Sequence, residues 1–357
     1  MGSPRVSFVV TCFNLGAYLP ETLASVRAQT FTDFEICVVD DGSTDEQTLR
    51  VLGEVGPGVT LVRTENRGLS AARNRGVAST SGEFVCAVDA DDLLLPTLVE
   101  KSVARLDGDP SLAFVSHWLE AFGDQSWTWT PEDCDLVTLL DTNTVNGAAL
   151  VRRTAVEAAG GWDDNLRHGL EDWDFWITLV ERGFRGAIIP EVLFRYRQRP
   201  DSMSRVHFAD GGHARLYRRL VDKHPDSFGR HVTKLVARRQ ADRAAAWAAA
   251  ADVNQELELQ LLPALARARD DVVMAERRRA RWRAEDDHRP LNGEVTSLRM
   301  RLEAARDEAI ALDHRRHHAE QEVAELRSSL SWRITRPLRV LGGLVARRGR
   351  RPPSERS

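Results

Sequence analysis

Three carboxylates crowd four positions of this chain: Asp89, Asp91 and Asp92, with Ala90 among them. Acids this close repel one another unless a cation neutralises them. Hard oxygen ligands of this kind suit Mg2+ or Mn2+, which keep several waters and take phosphate oxygens as further ligands. A solvated turn that merely ends a strand is the plainer reading of an Asp-x-Asp taken alone. A second acidic pair, Glu171 and Asp172, heads the segment GLEDWDFWITLVERG. Acids at a helix N-terminus are favoured by the dipole alone, so this pair is structural or chemical according to its surroundings.

The elements that must position these groups read as strands alternating with helices. Val6–Cys12 predicts a first strand, followed by the loop Phe13-Asn14-Leu15-Gly16 and a helix over 17–28. Phe34–Val39 predicts a second strand running into Asp40-Asp41-Gly42-Ser43-Thr44-Asp45, where Gly42 permits a tight turn and Ser43 or Asp45 can cap the next helix. A third strand is predicted at Val59–Val62 and a helix at 69–78, after Asn66-Arg67-Gly68. Phe84–Val88, uniformly apolar, reads as a strand buried on both faces of a parallel sheet, and it ends directly in the acids. Such alternation on short connections indicates a parallel α/β sheet with right-handed crossovers. Ligands of such sheets bind beyond the C-terminal strand ends, where each of the polar clusters after these strands falls.

Further along, a helix over 96–106 and strands at Leu112–Ser116, Gly147–Arg152 and Ile188–Tyr196 are predicted, the last leading into Arg197 and Arg199. Trp173, Trp176, Ile177 and Val180 give the Glu171 segment a helical apolar face. Trp118, Trp127 and Trp129 fit either a sugar-binding surface or hairpin and core packing.

The chain of 357 residues is long enough for more than one domain, and 42% hydrophobic residues support a substantial core. Its net charge of −4 hides an arginine-rich C-terminal end. Cys12, Cys37, Cys86 and Cys134 are widely spaced without a CxxC pair, which points to buried thiols in a reducing compartment. No run approaches a membrane-spanning length, and the N-terminus lacks a signal pattern. Residues 213–293 read as a helical region. Over 294–330, Val295, Leu302, Ala309, Arg316, Val323 and Leu330 alternate with Leu298, Ala305, Leu312, Ala319 and Leu326 at coiled-coil spacing, so a homodimer through this segment is expected. Alanines and Arg316 weaken the seam, leaving a solitary solvated helix as the alternative. Residues 331–357, basic and amphipathic, read as a tail lying on an anionic membrane surface rather than on nucleic acid. The expected location is cytoplasmic, peripheral on the inner face of the cell membrane.

Taken together, SFVVTCFN, VVDDGSTD, NRGLSAARNRG, GEFVCAVDADD, GGWDDNL and GLEDWDFW follow an order that resembles family 2 glycosyltransferases of the GT-A fold. The resemblance covers residues 5 to about 205 and places a GT-A domain at 1–212. The tail segment SSLSWRITRPLR is similar to one appended to many bacterial surface-polysaccharide glycosyltransferases. The resemblance implies an inverting transfer of a sugar from a nucleotide diphosphate, a UDP-sugar above others, to a hydroxyl of a glycan or lipid-linked glycan. It makes Asp91 the ligand of Mg2+ or Mn2+, with Asp89 on the metal or the ribose and Asp92 in support. Asp40 and Asp41 match positions that contact base and ribose, and Thr11 and Asn14 line the same pocket. Arg73 matches an arginine that steadies the nucleotide, and Asp172 matches the catalytic base, with Glu171 as the second choice. Arg197 and Arg199 follow the last strand, where Arg199 stands in place of the family's histidine and offers a clamp on the diphosphate. Rhamnosyl transfer from dTDP-rhamnose is the alternative within this class. A non-catalytic coiled-coil scaffold is opposed by the complete set Asp41, Asp89, Asp91 and Asp172. A nucleotidyltransferase would want a glycine-rich basic loop after the first strand, which TCFNLGAYLP does not offer.

Overall fold

Val6–Cys12 is apolar or small throughout and forms β1, with all its residues buried. In the computed structural model, which describes residues 3–167, 169–203, 206, 212–256, 262–281, 295–308, 310, 311 and 314, this strand lies near the middle of a nine-stranded sheet. The chain continues through α1 (Leu19–Arg27), β2 (Phe34–Asp40), α2 (Glu46–Gly53), β3 (Val59–Arg63), α3 (Leu69–Ala78) and β4 (Phe84–Asp89). Strands β3, β2, β1 and β4 lie side by side in parallel. Their register sets Thr11 opposite Asp89 and Cys12 opposite Asp40, so the polar strand ends form one row. Asp45 caps α2 by accepting from the amides of Gln47 and Thr48, while Ser43 Oγ accepts from Asn14 N at 2.9 Å.

The sheet continues with β5 (Leu93–Leu94), α4 (Leu98–Gly108), β6 (Leu112–Gly123), β7 (Trp127–Trp129), α5 (Leu136–Asp141), β8 (Leu150–Arg152), α6 (Arg153–Ala159), α7 (Glu171–Glu181) and β9 (Arg185–Gln198). Strand β8 joins β4 to β6 antiparallel to both, β9 runs parallel to β6, and β5 closes the far edge antiparallel to β9. The C-terminal ends of β6 and β9 therefore point the same way as those of β1 and β4. Strand β6 outruns the expected Leu112–Ser116 because its pairing with β9 continues to Gly123 opposite Gln198. Strand β8 is shorter than expected, because the chain from Asn143 to Ala149 is used as a loop. Val6, Phe8, Val10, Phe84, Cys86, Val88, Leu98 and Leu150 belong to one buried core under this sheet. Phe114 and Phe175 pack on Trp176 from α7, and Phe175 stacks on Trp162. These contacts seat α7 and hence Glu171 and Asp172.

The first compact unit, Met1–Val232, takes in α8 (Gly212–Lys223), a helix beyond the expected domain end at 212. Tyr217 donates to Leu140 O at 2.8 Å, Lys223 bonds Asp163 and Asp174, and His224 lies between Asp174 and Glu181. Helix α9 (Pro225–Glu256) follows, and the second unit, Thr233–Ser357, contains α10 (Leu262–Arg281) and the helical residues 295–308. Arg299 forms an ion pair with Glu276 of α10 at 2.6 Å. Val272 and Ala275 on α10 and Val295 on the later segment are buried, and Leu298, Leu302 and Ala305 are half-buried. The start of the heptad seam is thus sheltered beside a helix of its own chain. The remaining heptad core positions and the basic tail lie outside the described residues. Among those described, no helix is long and apolar enough to cross a membrane.

Candidate active site

The buried run of β4 carries Asp89 to the sheet edge, where its Oδ1 accepts from Thr11 Oγ1 at 3.0 Å and from an Arg73 terminal nitrogen at 3.2 Å. Two residues on, Asp91 Oδ2 accepts from Arg199 Nε at 2.8 Å. Asp92 is turned inward and accepts from the Arg197 amide at 2.8 Å, while Arg197 Nε donates to the Asp91 carbonyl at 2.8 Å. The end of β9 is therefore pinned to the aspartate turn, which is why residues more than a hundred positions apart share a site.

Arg73, on α3, is 3% exposed and lies between two acids. It donates to Asp89 on one side and to Glu171 Oε1 on the other, the latter at 2.8 Å. Burial opposes its charge, but the fields of Asp89, Glu171 and Asp172 prevail and raise its pKa. Gly147 makes room for this guanidinium, since a Cβ there would stand 3.3 Å from an Arg73 terminal nitrogen. The chain reaches α7 through Gly169 and Leu170, both at positive φ, and for leucine a φ of 65° is a strained conformation. Packing of α7 holds that strain, and the turn delivers both acids to the site.

Glu171 and Asp172 have different surroundings. Glu171 is buried against Arg73, and burial pushes its carboxyl up to about 7 against the pull of Arg73. Asp172 stays partly open; its Oδ1 accepts from the Trp173 amide at 2.7 Å and its Oδ2 from Asn143 Nδ2 at 3.2 Å. Its pKa is also raised, by burial first, with Arg73 opposing. A carboxylate that is oriented yet accessible can take a proton; one locked on a buried arginine is a poorer candidate.

The loops after β1, β2 and β3 form the other end of the row. Asp40 is fully buried, accepting from Ser43 N at 2.9 Å and facing Arg63 Nε at 2.9 Å. Asp41 accepts from Arg67 N at 3.0 Å, Gly68 N at 2.8 Å and Thr64 Oγ1 at 3.2 Å. Asn14, exposed and at φ 55°, accepts from Thr44 N and Asp45 N. In this form Asp40, Asp41 and Asn14 hold the loops to one another. Tyr18 has no sequence signal, yet its ring lies 4.9 Å from the Arg197 guanidinium and 5.5 Å from that of Arg199. Asn143 is likewise unmarked in sequence beyond its polar loop. Of the tryptophans, Trp118 donates to Pro131 O at 3.0 Å and Trp129 packs on the core. Trp127 is 42% exposed, with its ring 6.5 Å from that of Tyr196.

Among the described residues no group of three or more His, Cys, Asp or Glu is arranged to hold a metal unaided. Mg2+ does not need one, because it is bound through one or two carboxylates together with substrate phosphates. Asp91 is pushed up by burial first and by Asp89, with Arg199 opposing, and Asp92 well up by burial, Asp91 and Asp89, with Arg197 opposing. Two carboxylates this close at one strand end supply the hard oxygen donors that suit a divalent cation at Asp89 and Asp91.

Residues 7–160 match the model of Glycosyl transferase family 2. EpsE of Bacillus subtilis, a glycosyltransferase by name, is 27% identical over 57% of this chain and 77% of its own length. Chondroitin synthase of Escherichia coli is 37% identical over 31% of this chain, a match that spans 17% of that enzyme. A mannosyltransferase of Pyrobaculum calidifontis, solved with GDP-Man and Mn2+, matches 87% of this chain and 88% of its own at 22% identity and a TM-score of 0.51. S. aureus TarS 1–349 with UDP-GlcNAc matches 56% of this chain and 60% of its own, at 22% identity and a TM-score of 0.50. The chain thus spans less than two thirds of some of these proteins. At such identities the structural matches establish the fold, a curled α/β sheet of the GT-A type with flanking helices.

Proposed function

Since the chain carries a family 2 glycosyltransferase domain over residues 7–160, we propose that it transfers a sugar, with inversion, from a nucleotide-diphosphate sugar to an acceptor hydroxyl in bacterial surface-polysaccharide synthesis. The observation that carries this reading is the buried Arg73, which joins Asp89 to the helix bearing Glu171 and Asp172. Donor end and acceptor end are thereby parts of one rigid site.

Inversion in a single displacement requires a base on the face opposite the leaving group. Asp172 suits that role, with Asn143 and the Trp173 amide orienting its two oxygens. Glu171 serves as the buried counter-charge of Arg73. Asp91 and Asp89 are the residues that would hold Mg2+ or Mn2+; the cation, when bound, stabilises charge on the departing diphosphate. Thr11 keeps Asp89 in place, and Arg197 and Arg199 supply positive charge near the same end. Donor base and ribose are assigned to the row formed by Thr11, Asn14, Asp40 and Asp41. A UDP-sugar is preferred among donors, with dTDP-rhamnose second, and the acceptor is a glycan or lipid-linked glycan. The heptads and the basic tail supply pairing of chains and attachment to the anionic inner face of the membrane.

The test is a panel of UDP-, GDP- and dTDP-sugars, with Mn2+ or EDTA, measured for binding and for release of the nucleoside diphosphate. Donor hydrolysis or transfer that depends on Mn2+ and vanishes in Asp91→Ala is expected. Activity of Asp91→Ala equal to wild type would remove the metal assignment.

A further inference from the structure

Three arginines stand around the aspartate turn, and they are not held alike. Arg73 is buried and bonded to an acid on each side. Arg197 is fixed through its backbone amide to Asp92 and through Nε to the Asp91 carbonyl, and its guanidinium lies over both Tyr18 and Phe122, at 4.9 and 4.5 Å. Arg199 follows the last residue of β9 and stands outside its ladder. Its hold on the turn is one bond, Nε to Asp91 Oδ2 at 2.8 Å, and its next donor, Nη1, goes to Asp201, whose side chain is 78% exposed. An ion pair with so exposed a partner restrains little. The ring of Tyr18, 5.5 Å away, offers a surface along which the guanidinium can move while keeping a favourable contact.

Resting on the reading above, we infer that Arg199 is an exchangeable counter-ion of Asp91. In the free enzyme it neutralises the carboxylate that a divalent cation needs, so the cation and Arg199 compete for Asp91. A donor diphosphate offers the guanidinium a better partner, since a planar fork of N–H donors matches phosphate oxygens in pairs. Arg199 then leaves Asp91 for the diphosphate, and the carboxylate becomes available to the cation. No covalent bond changes; one ion pair is replaced by two. The consequence is a thermodynamic coupling. Nucleotide raises the affinity for the cation, and by reciprocity the cation raises the affinity for nucleotide by the same factor.

The experiment measures Mn2+ binding to the full chain by the electron paramagnetic resonance signal of free Mn2+. It compares wild type, Arg199→Gln and Arg199→Lys, each with and without saturating UDP, GDP or dTDP. Calorimetry gives nucleotide affinity with and without Mn2+. Wild type should bind Mn2+ weakly alone and about tenfold or more tightly with nucleotide, a coupling inside the usual range of about 5- to 150-fold. Arg199→Gln should bind Mn2+ more tightly than wild type in the absence of nucleotide, bind nucleotide more weakly, and show a smaller coupling, the part left being the direct contact of phosphate oxygens with the cation. Arg199→Lys, which keeps the charge, should lie between the two, and it guards against a glutamine variant that misfolds. Coupling that is undiminished in both variants overturns the inference while leaving the proposed transfer intact. Failure of wild type to bind any of the nucleoside diphosphates, with or without Mn2+, overturns the proposed function and the exchange together.

Discussion

Replacing Arg73 with glutamine deletes a guanidinium that is 3% exposed and ion-paired to both Asp89 and Glu171. Breaking a buried pair by removing one partner costs about 3–5 kcal/mol, because the other charge is left without compensation. Against a typical total of about 5–15 kcal/mol that is a large loss. At roughly 2–4 °C per kcal/mol for a unit of this size, the melting temperature should fall by about 10 °C near pH 8. The dependence on pH has a definite sign. The Glu171 carboxyl sits at about 7 in the folded chain, above its ordinary 4.5, so its contribution to stability is present at low pH and lost as pH rises through 7. Without Arg73, which pulls that value down, the carboxyl titrates higher still. The gap between Arg73→Gln and wild type should therefore be smaller at pH 5.5, where the pair with Asp89 is what the variant loses, and widen above pH 7. Adding Glu171→Gln to Arg73→Gln removes the stranded charge and should recover most of the loss at pH 8. Differential scanning calorimetry on wild type, both single variants and the double variant gives the full cycle. A loss that is equal at both pH values, or a double variant no more stable than Arg73→Gln, would refute the reasoning.

Asp172→Asn should keep donor affinity in calorimetry and reduce transfer by about a hundredfold or more, the usual scale for losing a general base; if Glu171→Gln is instead the inactive variant, the base is Glu171. Asn143→Ala removes an amide that stabilises the Asp172 carboxylate, so the acidic limb of log(kcat/KM) should move to higher pH. An unmoved limb would take Asn143 out of the mechanism. Cutting the chain after Arg289 should leave transfer to a soluble acceptor intact and abolish flotation with anionic liposomes. Full-length flotation should weaken with salt, each arginine near the surface being worth about 1 kcal/mol. A truncated chain that floats as well as the full one would sink the role given to the tail.

The strands β1 to β4 and the three helices between them could be read from sequence because each apolar run is short and ends in turn residues. Parallel strands then had to place Asp40, Asp41 and Asp89 on one edge, and the register of β1 with both neighbours does so. What local pattern could not convey is pairing at long range. The extension of β6 to Gly123 depends on β9, which lies more than sixty residues later, and the different surroundings of Glu171 and Asp172 depend on Arg73 from α3. Adjacent acids at a helix start look alike in sequence; only the buried guanidinium tells them apart. Tyr18 and Asn143 were equally hidden, since an aromatic residue before a helix and an asparagine in a loop are common for structural reasons. Asp40 and Asp41 were found by motif, and their observed partners are backbone amides, side chains of neighbouring loops and Arg63.

The shelter that α10 gives to Val295 and its neighbours bears on how two chains could meet. A seam that is already covered is not a vacant docking strip. For its first turns to pair with another copy, the helix must let go of α10, and the most economical arrangement is an exchange in which each chain's segment takes the same place beside its partner's α10. Such an exchange makes no new kind of contact, so its balance is set by concentration. The covering helix within one chain acts at an effective concentration on the order of millimolar. Dilute protein would then remain closed and single, whereas chains gathered on a two-dimensional surface would swap. Crowding at the place of work, rather than a stronger interface, would decide the oligomeric state.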